Sequence, residues 1–305
     1  MEIVRFQSEM AADLARCYNE LVAAVPHYRP IMAEWFTDLR PAYFQSCTQE
    51  AVLVARSGPE VVGFVHVGVS APATHKWHIK GEPGVIRFLS YRPGQRPVGT
   101  ALLAAAEQWV QERERREVVA GFSGYMYPFY PLPSAHISER ISHVPPLFWR
   151  AGYTAPESEV FFEWPDFDPP HVERPDIGVE VACHEAQARP RVTEIRVLAK
   201  QGDREVGECR MSSLSGDAWR PQLADWCVCD YLYVSEELQG KGLGKYLLAT
   251  GLAEMRAAGS RHAMISTDWN NYRAYLFYTN FGYRFCDRTF GFRKAIGGES
   301  SAAKG

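Results

Sequence analysis

Two stretches of this chain share one pattern of apolar and polar positions. In AVLVAR (51–56) and VVGFVHVGV (61–69), β-branched residues flank the polar turn SGPE, which predicts a hairpin. TEIRVLAK (193–200) and REVGECRM (204–211), joined by QGD, predict a second one, with Gly207 standing where Gly63 stands in the first. The apolar runs VIRFLSY (85–91) and WCVCDYLYV (226–234) follow as central strands. After each comes a short polar loop and then helical spacing. Leu102, Leu103, Ala106, Trp109 and Val110 recur at three and four, as do Leu243, Leu247, Leu248, Leu252 and Met255. Gly259 is placed to end the second helix. Each stretch then has an aromatic helix closing on Gly-Tyr, LFWRAGY (147–153) and LFYTNFGY (276–283), and a final strand, VFFEW (160–164) and FCDRTFGFRK (285–294).

The same element order at nearly the same spacing predicts two copies of one α/β domain. The Pro-rich PDFDPPHVERPD (165–176) reads as the linker, giving domains at 1–167 and 168–305. The copies differ in two places. The first carries a helical lead, MAADLARCYNELVAAV (10–25) with IMAEWFTDLR (31–40), that the second lacks or has shortened. It also carries a Tyr/Pro-rich insert, 124–146, read either as a lid or substrate wall or as a surface loop packed by its own aromatics. The tail AIGGESSAAKG is predicted to be disordered.

A length of 305 residues suits about two domains, and 46% hydrophobic residues suffice for substantial cores. The net charge of −3, with both signs interspersed, argues against a polyanion such as nucleic acid as main partner. MEIVRFQSEM carries charges where a signal peptide needs an apolar stretch, and no apolar run is long enough to span a bilayer. A cytoplasmic protein is expected. The seven cysteines fit buried reduced thiols; Cys227 and Cys229 do not have zinc-knuckle spacing. His75 and His78 lie beside Gly81 and Pro83 with no third ligand, so they read as loop residues and no metal site is expected.

The chemistry concentrates at Gln239-Gly240-Lys241-Gly242-Leu243-Gly244, between a strand and a helix. Glycines there let the backbone turn tightly and present N–H groups at the positive end of a helix dipole, a natural seat for pyrophosphate. Lys241 and Lys245 add positive charge. A dinucleotide G-x-G-x-x-G fails because Lys245 holds the last position, and no Gly-Lys-Ser/Thr closes a P-loop. What remains, Q-x-x-G-x-G after a strand, resembles the GCN5-related N-acetyltransferase (GNAT) family. Asn271, Ala274, Tyr278 and Gly282-Tyr283 match that family's N-x-x-A-x-x-x-Y-x-x-x-G-F/Y segment. The resemblance covers roughly 177–294, and the repeat makes the chain similar to the tandem type of the family.

The resemblance implies two GNAT-like domains, each a mixed, mostly antiparallel sheet flanked by helices. It implies acetyl-CoA as cosubstrate, with Gln239 to Lys245 holding the pyrophosphate and the backbone of Leu232–Val234 holding the pantetheine. Tyr278 matches the general acid that protonates the departing sulfur; otherwise it is core beside Tyr275 and Phe277. Asn271 is read as a cofactor ligand or as a helix cap. For the general base, alternation along 226–234 places Asp230 on the face of Val228 and Leu232, and Glu208 projects from the neighbouring strand. The expected reaction is acetyl transfer to an amine of a small molecule or peptide. The alternatives are an acyl-CoA sensor without turnover and a transferase of longer acyl chains.

In the first copy, Arg96-Pro97-Val98-Gly99-Thr100-Ala101 still satisfies the loop pattern. Pro97 removes one N–H, however, and Phe148 stands at the position of Tyr278. This copy is expected to be structural or to help bind substrate.

Overall fold

We describe a computed structural model covering residues 1–39, 46–71, 82–122, 125–127, 134–189, 191–216 and 220–297. His75, His78, part of the insert and the tail beyond residue 297 lie outside the described residues. No described helix is long and apolar enough to cross a membrane.

By packing, the chain divides into one unit of Met1–Glu159 with Asp287–Gly305 and another of Val160–Cys286. In the first unit, β1 (Glu2–Arg5) leads into α1 (Ala11–Val22) and a short π-turn (Trp35–Leu39), where a longer helix is expected from sequence. β2 (Cys47–Ser57), β3 (Glu60–Ser70) and β4 (Gly84–Tyr91) follow, then α2 (Arg96–Gln111) and β5 (Glu117–Ala120). β6 (Ile137–Ser138), α3 (Val144–Arg150) and β7 (Thr154–Trp164) complete the run. β1 to β4 pair antiparallel in sequence order, and β5 pairs parallel with β4.

The second unit repeats the plan. β8 (Glu180–Arg189), β9 (Val192–Gln201), β10 (Arg204–Ser213) and β11 (Trp226–Val234) pair antiparallel in order. α4 (Leu243–Ala257) then leads to β12 (His262–Asp268), parallel to β11. α5 (Tyr272–Phe281) and β13 (Arg284–Ala295) close the chain. In both units the strand pairing is therefore mixed and mostly antiparallel, with helices against it. Gly63 and Gly207 serve the same end: a Cβ at Gly63 would lie 3.1 Å from Leu102 Cδ1, and one at Gly207 2.9 Å from Leu247 Cδ1. Each lets the helix after the central strand approach closely.

The boundary expected at 167/168 differs from the one packing draws. Val160–Trp164, expected to close the first copy, delivers Val160 and Phe162 to the second unit's core, among Leu247, Leu252 and Tyr278. Residues from Asp287 onward, expected to close the second copy, belong to the first unit, where Phe292–Ala295 pair antiparallel with Glu117–Ala120. Phe292 stacks on Phe148 at 4.9 Å. The linker is also more than a spacer, since Phe167 and Val172 pack into the second core.

Candidate active site

In the second unit, β11 and β12 pair from Trp226–His262 to Cys229–Ile265, and among the described residues the ladder stops there. Both strands run on, to Val234 and Asp268. β11 keeps its bonds to β10 on the other side, where Leu232 opposes Cys209 and Val234 opposes Gly207. Beyond Cys229 one edge of β11 is thus left by β12 for a ligand that pairs like a strand, except at Val234 O, which accepts from Gln239.

A bulge sits just where the strands part. Tyr231 opposes Arg210 while Cys229 opposes Met211, leaving Asp230 as the extra residue. Alternation therefore breaks at this point, which corrects the expected placement of Asp230. Cys227 and Cys229 pack in the core under α4, and so do Leu232 and Val234. Val228 and Leu232 do not share a face, and Asp230 is exposed at the kink with its carboxylate accepting from the Ser212 hydroxyl. Burial pushes the Cys227 thiol up to about 12, in keeping with a reduced core cysteine.

Beyond Val234, Ser235 is buried and a short 3₁₀ turn (Glu236–Leu238) brings the chain to the glycine turn. Gly240 (φ +76°) and Gly242 (φ +86°) are left-handed, which is why this loop uses glycine. A Cβ at either would meet nothing within 4 Å, so the turn faces open space. Among the described residues, no acceptor takes the amides of Gly240 to Lys245; the first helical bond is Tyr246 N to Gly242 O. Lys241 and Lys245 are exposed beside them. This is a cradle of unpaired donors at a helix N-terminus, open and positively charged, and it fits a pyrophosphate.

Gln239 is engaged by the protein. Its Nε2 donates to Val234 O (3.0 Å) and its Oε1 accepts from Arg273 (3.2 Å), fixing the loop to β11 and α5. Asn271 caps α5: Oδ1 accepts from Ala274 N (3.2 Å), and Nδ2 donates to Thr267 Oγ1 (3.1 Å) at the end of β12. Tyr278 is buried on the inner side of α5, its ring 5.8 Å from Phe162 and 6.2 Å from Tyr283. The Tyr283 hydroxyl is buried and, among the described residues, has no hydrogen-bond partner; it lies beside Cys229, Cys227, Cys209 and Tyr278, and burial raises its pKa well above the usual phenol value.

Glu208 lies on β10 directly across from Tyr233. Its Oε1 accepts from Arg196 Nε (2.7 Å) and Arg210 Nη2 (2.8 Å). Burial works to raise its pKa, but the bonds and charges of the two guanidiniums outweigh it and hold the carboxyl below its ordinary value. A carboxylate so stabilised is a weak base. The flanking arginines and the exposed Tyr231–Tyr233 pair escape motif reading; the signal for them is register, since Arg196 opposes Arg210 and Tyr231 opposes Arg210 across the strands.

Among the described residues the first unit has no comparable cradle. α2 already begins at Arg96, so Gly99 lies inside the helix, and a Cβ there would sit 2.6 Å from the Tyr91 ring. β4 and β5 also part, after Ile86–Ala120, but the insert fills the gap. Met126, Ile137, Ile141 and Val144 line a cavity of only about 20 Å³ against Ile86–Leu89, room for about one water. His143 Nε2 donates to Tyr91 O (2.7 Å), and the Tyr91 hydroxyl donates back to His143 O (2.7 Å).

The second unit thus sets a splayed parallel strand pair beside an open glycine turn. Residues 193–285 match the acetyltransferase (GNAT) domain family, and this part of the chain is a GNAT domain. The whole chain has a tandem GNAT fold. It is similar to a tandem GNAT protein from the clavulanic acid biosynthesis pathway, at 15% identity and TM-score 0.59 over 98% of this chain and 99% of that one. It is also similar to a GCN5-related N-acetyltransferase from Sphaerobacter thermophilus, at 16% identity and TM-score 0.60 over 97% and 95%. A third likeness, at 13% identity and TM-score 0.61, is to a fungal multi-domain β-N-acetylglucosaminidase with a glucosamine N-acetyltransferase region; 96% of this chain covers 38% of that one. At these identities the likeness is one of fold. No curated protein matches the chain by sequence.

Proposed function

We propose that the second unit transfers an acetyl group from acetyl-CoA to an amine of a small molecule or peptide. The observation that carries this reading is the open left-handed turn at Gly240 and Gly242, with unpaired amides from Gly240 to Lys245. Those amides, with Lys241 and Lys245, hold the pyrophosphate. The edge of Leu232–Val234 that β12 leaves holds the pantetheine as an added strand, at the bulge where the thioester reaches the acceptor. Gln239 and Asn271 serve this site by positioning, through the bonds that lock the loop and the start of α5.

In the reaction, the amine nitrogen bonds to the thioester carbonyl carbon and the carbon–sulfur bond breaks. Backbone donors along β11 stabilise the oxyanion that develops between these events. Tyr278 gives its phenolic proton to the leaving thiolate, and the amine's surplus proton leaves through Asp230, the exposed carboxylate at the bulge, or water. The two arginines hold Glu208 below its ordinary pKa, which makes it a weaker base than a free glutamate.

The test is thiol release from acetyl-CoA across a panel of amines, alongside calorimetry. Wild type is expected to bind coenzyme A and release thiol with some amines. Tyr278→Phe should keep binding and lose at least tenfold in kcat, within the range of general acid catalysis. Gly242→Val, forced into a left-handed conformation at the mouth of the cradle, should lose binding and activity together. Binding without thiol release for any amine would favour a sensor. Tighter binding of a long-chain acyl-CoA than of acetyl-CoA would redirect the reading to a longer donor.

A further inference from the structure

Trp226, Val228 and Met264 are buried on the face of the second unit's sheet away from α4, but around β10 and the end of β11 that face is uncovered among the described residues. Gly207, Cys209 and Met211 lie toward α4: a Cβ at Gly207 would meet Leu247, and one at Gly251 of α4 would meet Met211 and Cys209. Glu208, Arg210 and Ser212 therefore face the other way, as do Tyr231 and Tyr233, since Leu232 and Val234 pack against the α4 core. In the first unit the matching face is buried under the helical lead, with Tyr18 on Phe88 (4.9 Å) and Phe36 on Phe64 (5.5 Å). Among the described residues the second unit has no such lead, and Tyr231 is 47% and Tyr233 44% exposed.

That open face is built for a cation. Glu208 is 8% exposed and spends Oε1 on both Arg196 and Arg210; among the described residues its Oε2 has no partner. Tyr233 stands across the ladder from it, and the Tyr231 and Tyr233 rings stack at 6.3 Å and 21°. Aromatic faces beside a carboxylate attract ammonium through both the ring quadrupole and the charge. The charged groups of this face are Glu180, Glu194, Glu205, Glu208 and Asp230 against Arg196, Lys200 and Arg210, two carboxylates in excess, with His184 across from Arg196. The guanidiniums are already taken: Arg196 by Glu205 and Glu208, Arg210 by Glu208 and by one face of the Tyr231 ring, 5.9 Å from its centroid.

We propose that Glu208, Tyr231 and Tyr233 form the acceptor subsite, and that it selects an aliphatic amine in its ammonium form over arylamines, which are neutral in water near pH 7. Glu208 Oε2 accepts a hydrogen bond from the ammonium and the tyrosine rings flank its carbons. Glu208 is thus a binding and specificity residue, with proton removal left to Asp230 or water. This rests on the transferase reading above.

Steady-state kinetics of the full chain with acetyl-CoA test it, using 1,4-diaminobutane, a lysine amide blocked at its α-nitrogen, and an arylamine. The aliphatic amines are expected to give the higher kcat/KM. Glu208→Gln should raise their KM about tenfold while kcat falls less than threefold. Glu208→Asp should recover part of that loss, and Tyr231→Leu should raise KM about threefold. Calorimetry with coenzyme A should give wild-type affinity for all three variants, confirming that each is folded. A collapse of kcat with a shifted pH–rate profile in Glu208→Gln would make Glu208 the base and overturn the proposal. So would a preference for the arylamine, or KM values that do not move. If no amine is acetylated at all, the transferase reading fails first and this subsite falls with it.

Discussion

Asp287 shows how a single buried group sets a measurable property of the first unit. Its side chain is buried, and burial pushes the carboxyl up to about 6, although the Ser138 hydroxyl (2.6 Å) and Arg288 N (2.8 Å) both donate to it. An unfolded aspartate titrates near 3.9, so the folded state favours the protonated form. The sign follows from linkage: the folded state holds a proton that the unfolded chain releases between about pH 4 and 6. Stability from this group is therefore fully present below about pH 4, falls as pH rises through about 6, and is constant above. Two pKa units correspond to about 3 kcal/mol. Asp287→Asn, which keeps an acceptor and removes the charge, should melt higher than wild type at pH 7.5 and no higher at pH 4. The difference in thermal midpoint across that range is the measurement. An equal difference at both ends would mean the carboxyl does not titrate there.

At the level of elements, the two units use one strand–loop–helix design to opposite ends. In the second, the loop ends in two left-handed glycines and α4 starts at Leu243, leaving its first amides open. In the first, α2 starts at Arg96, absorbs the corresponding glycine and sets it against Tyr91, while Met126, Ile137, Ile141 and Val144 occupy the parted strands. Calorimetry should therefore give one coenzyme A per chain, and Gly242→Val should abolish all of it. A second site surviving in that variant would show that the insert yields to ligand. Much of this was legible in the sequence. Helical spacing located both helices after the central strands, and Pro97 and Phe148 marked the first copy as altered. Two things were not legible. The bulge at Asp230 adds one residue to a strand whose composition looks regular, so alternation misplaces that side chain. The fill of the first cleft depends on which side chains of a Pro-rich insert turn inward, and periodicity carries no trace of that.

For the whole molecule, the division of the chain has a consequence that two consecutive domains would not have. The first unit takes its last strand segment from the far end of the sequence: Phe292–Ala295 pair with Glu117–Ala120, Thr289 and Phe290 pair with Ser138 and Ile137, and Trp149 packs edge-on against Phe290 (5.2 Å) and Phe292 (5.4 Å). The sequence gives no sign of this, because a final strand after each Gly-Tyr fits either partner equally well by pattern. Energetically the contribution is large: Phe290 and Phe292 are both buried, and each fully buried phenylalanine is worth about 2–3 kcal/mol of apolar burial. Deleting residues 287–305 should therefore damage the N-terminal half of the chain. Hydrogen exchange should speed up in β5, which loses its antiparallel neighbour, and Trp149 emission should shift to the red. Protection in α4, whose core contacts in the second unit are made by Val160–Cys286, should hold by comparison. For the same reason, residues 1–167 made alone should not reach the native first unit, since they lack its closing strand. Native-like protection of β5 in either truncated chain would show that the first unit folds without the C-terminal segment.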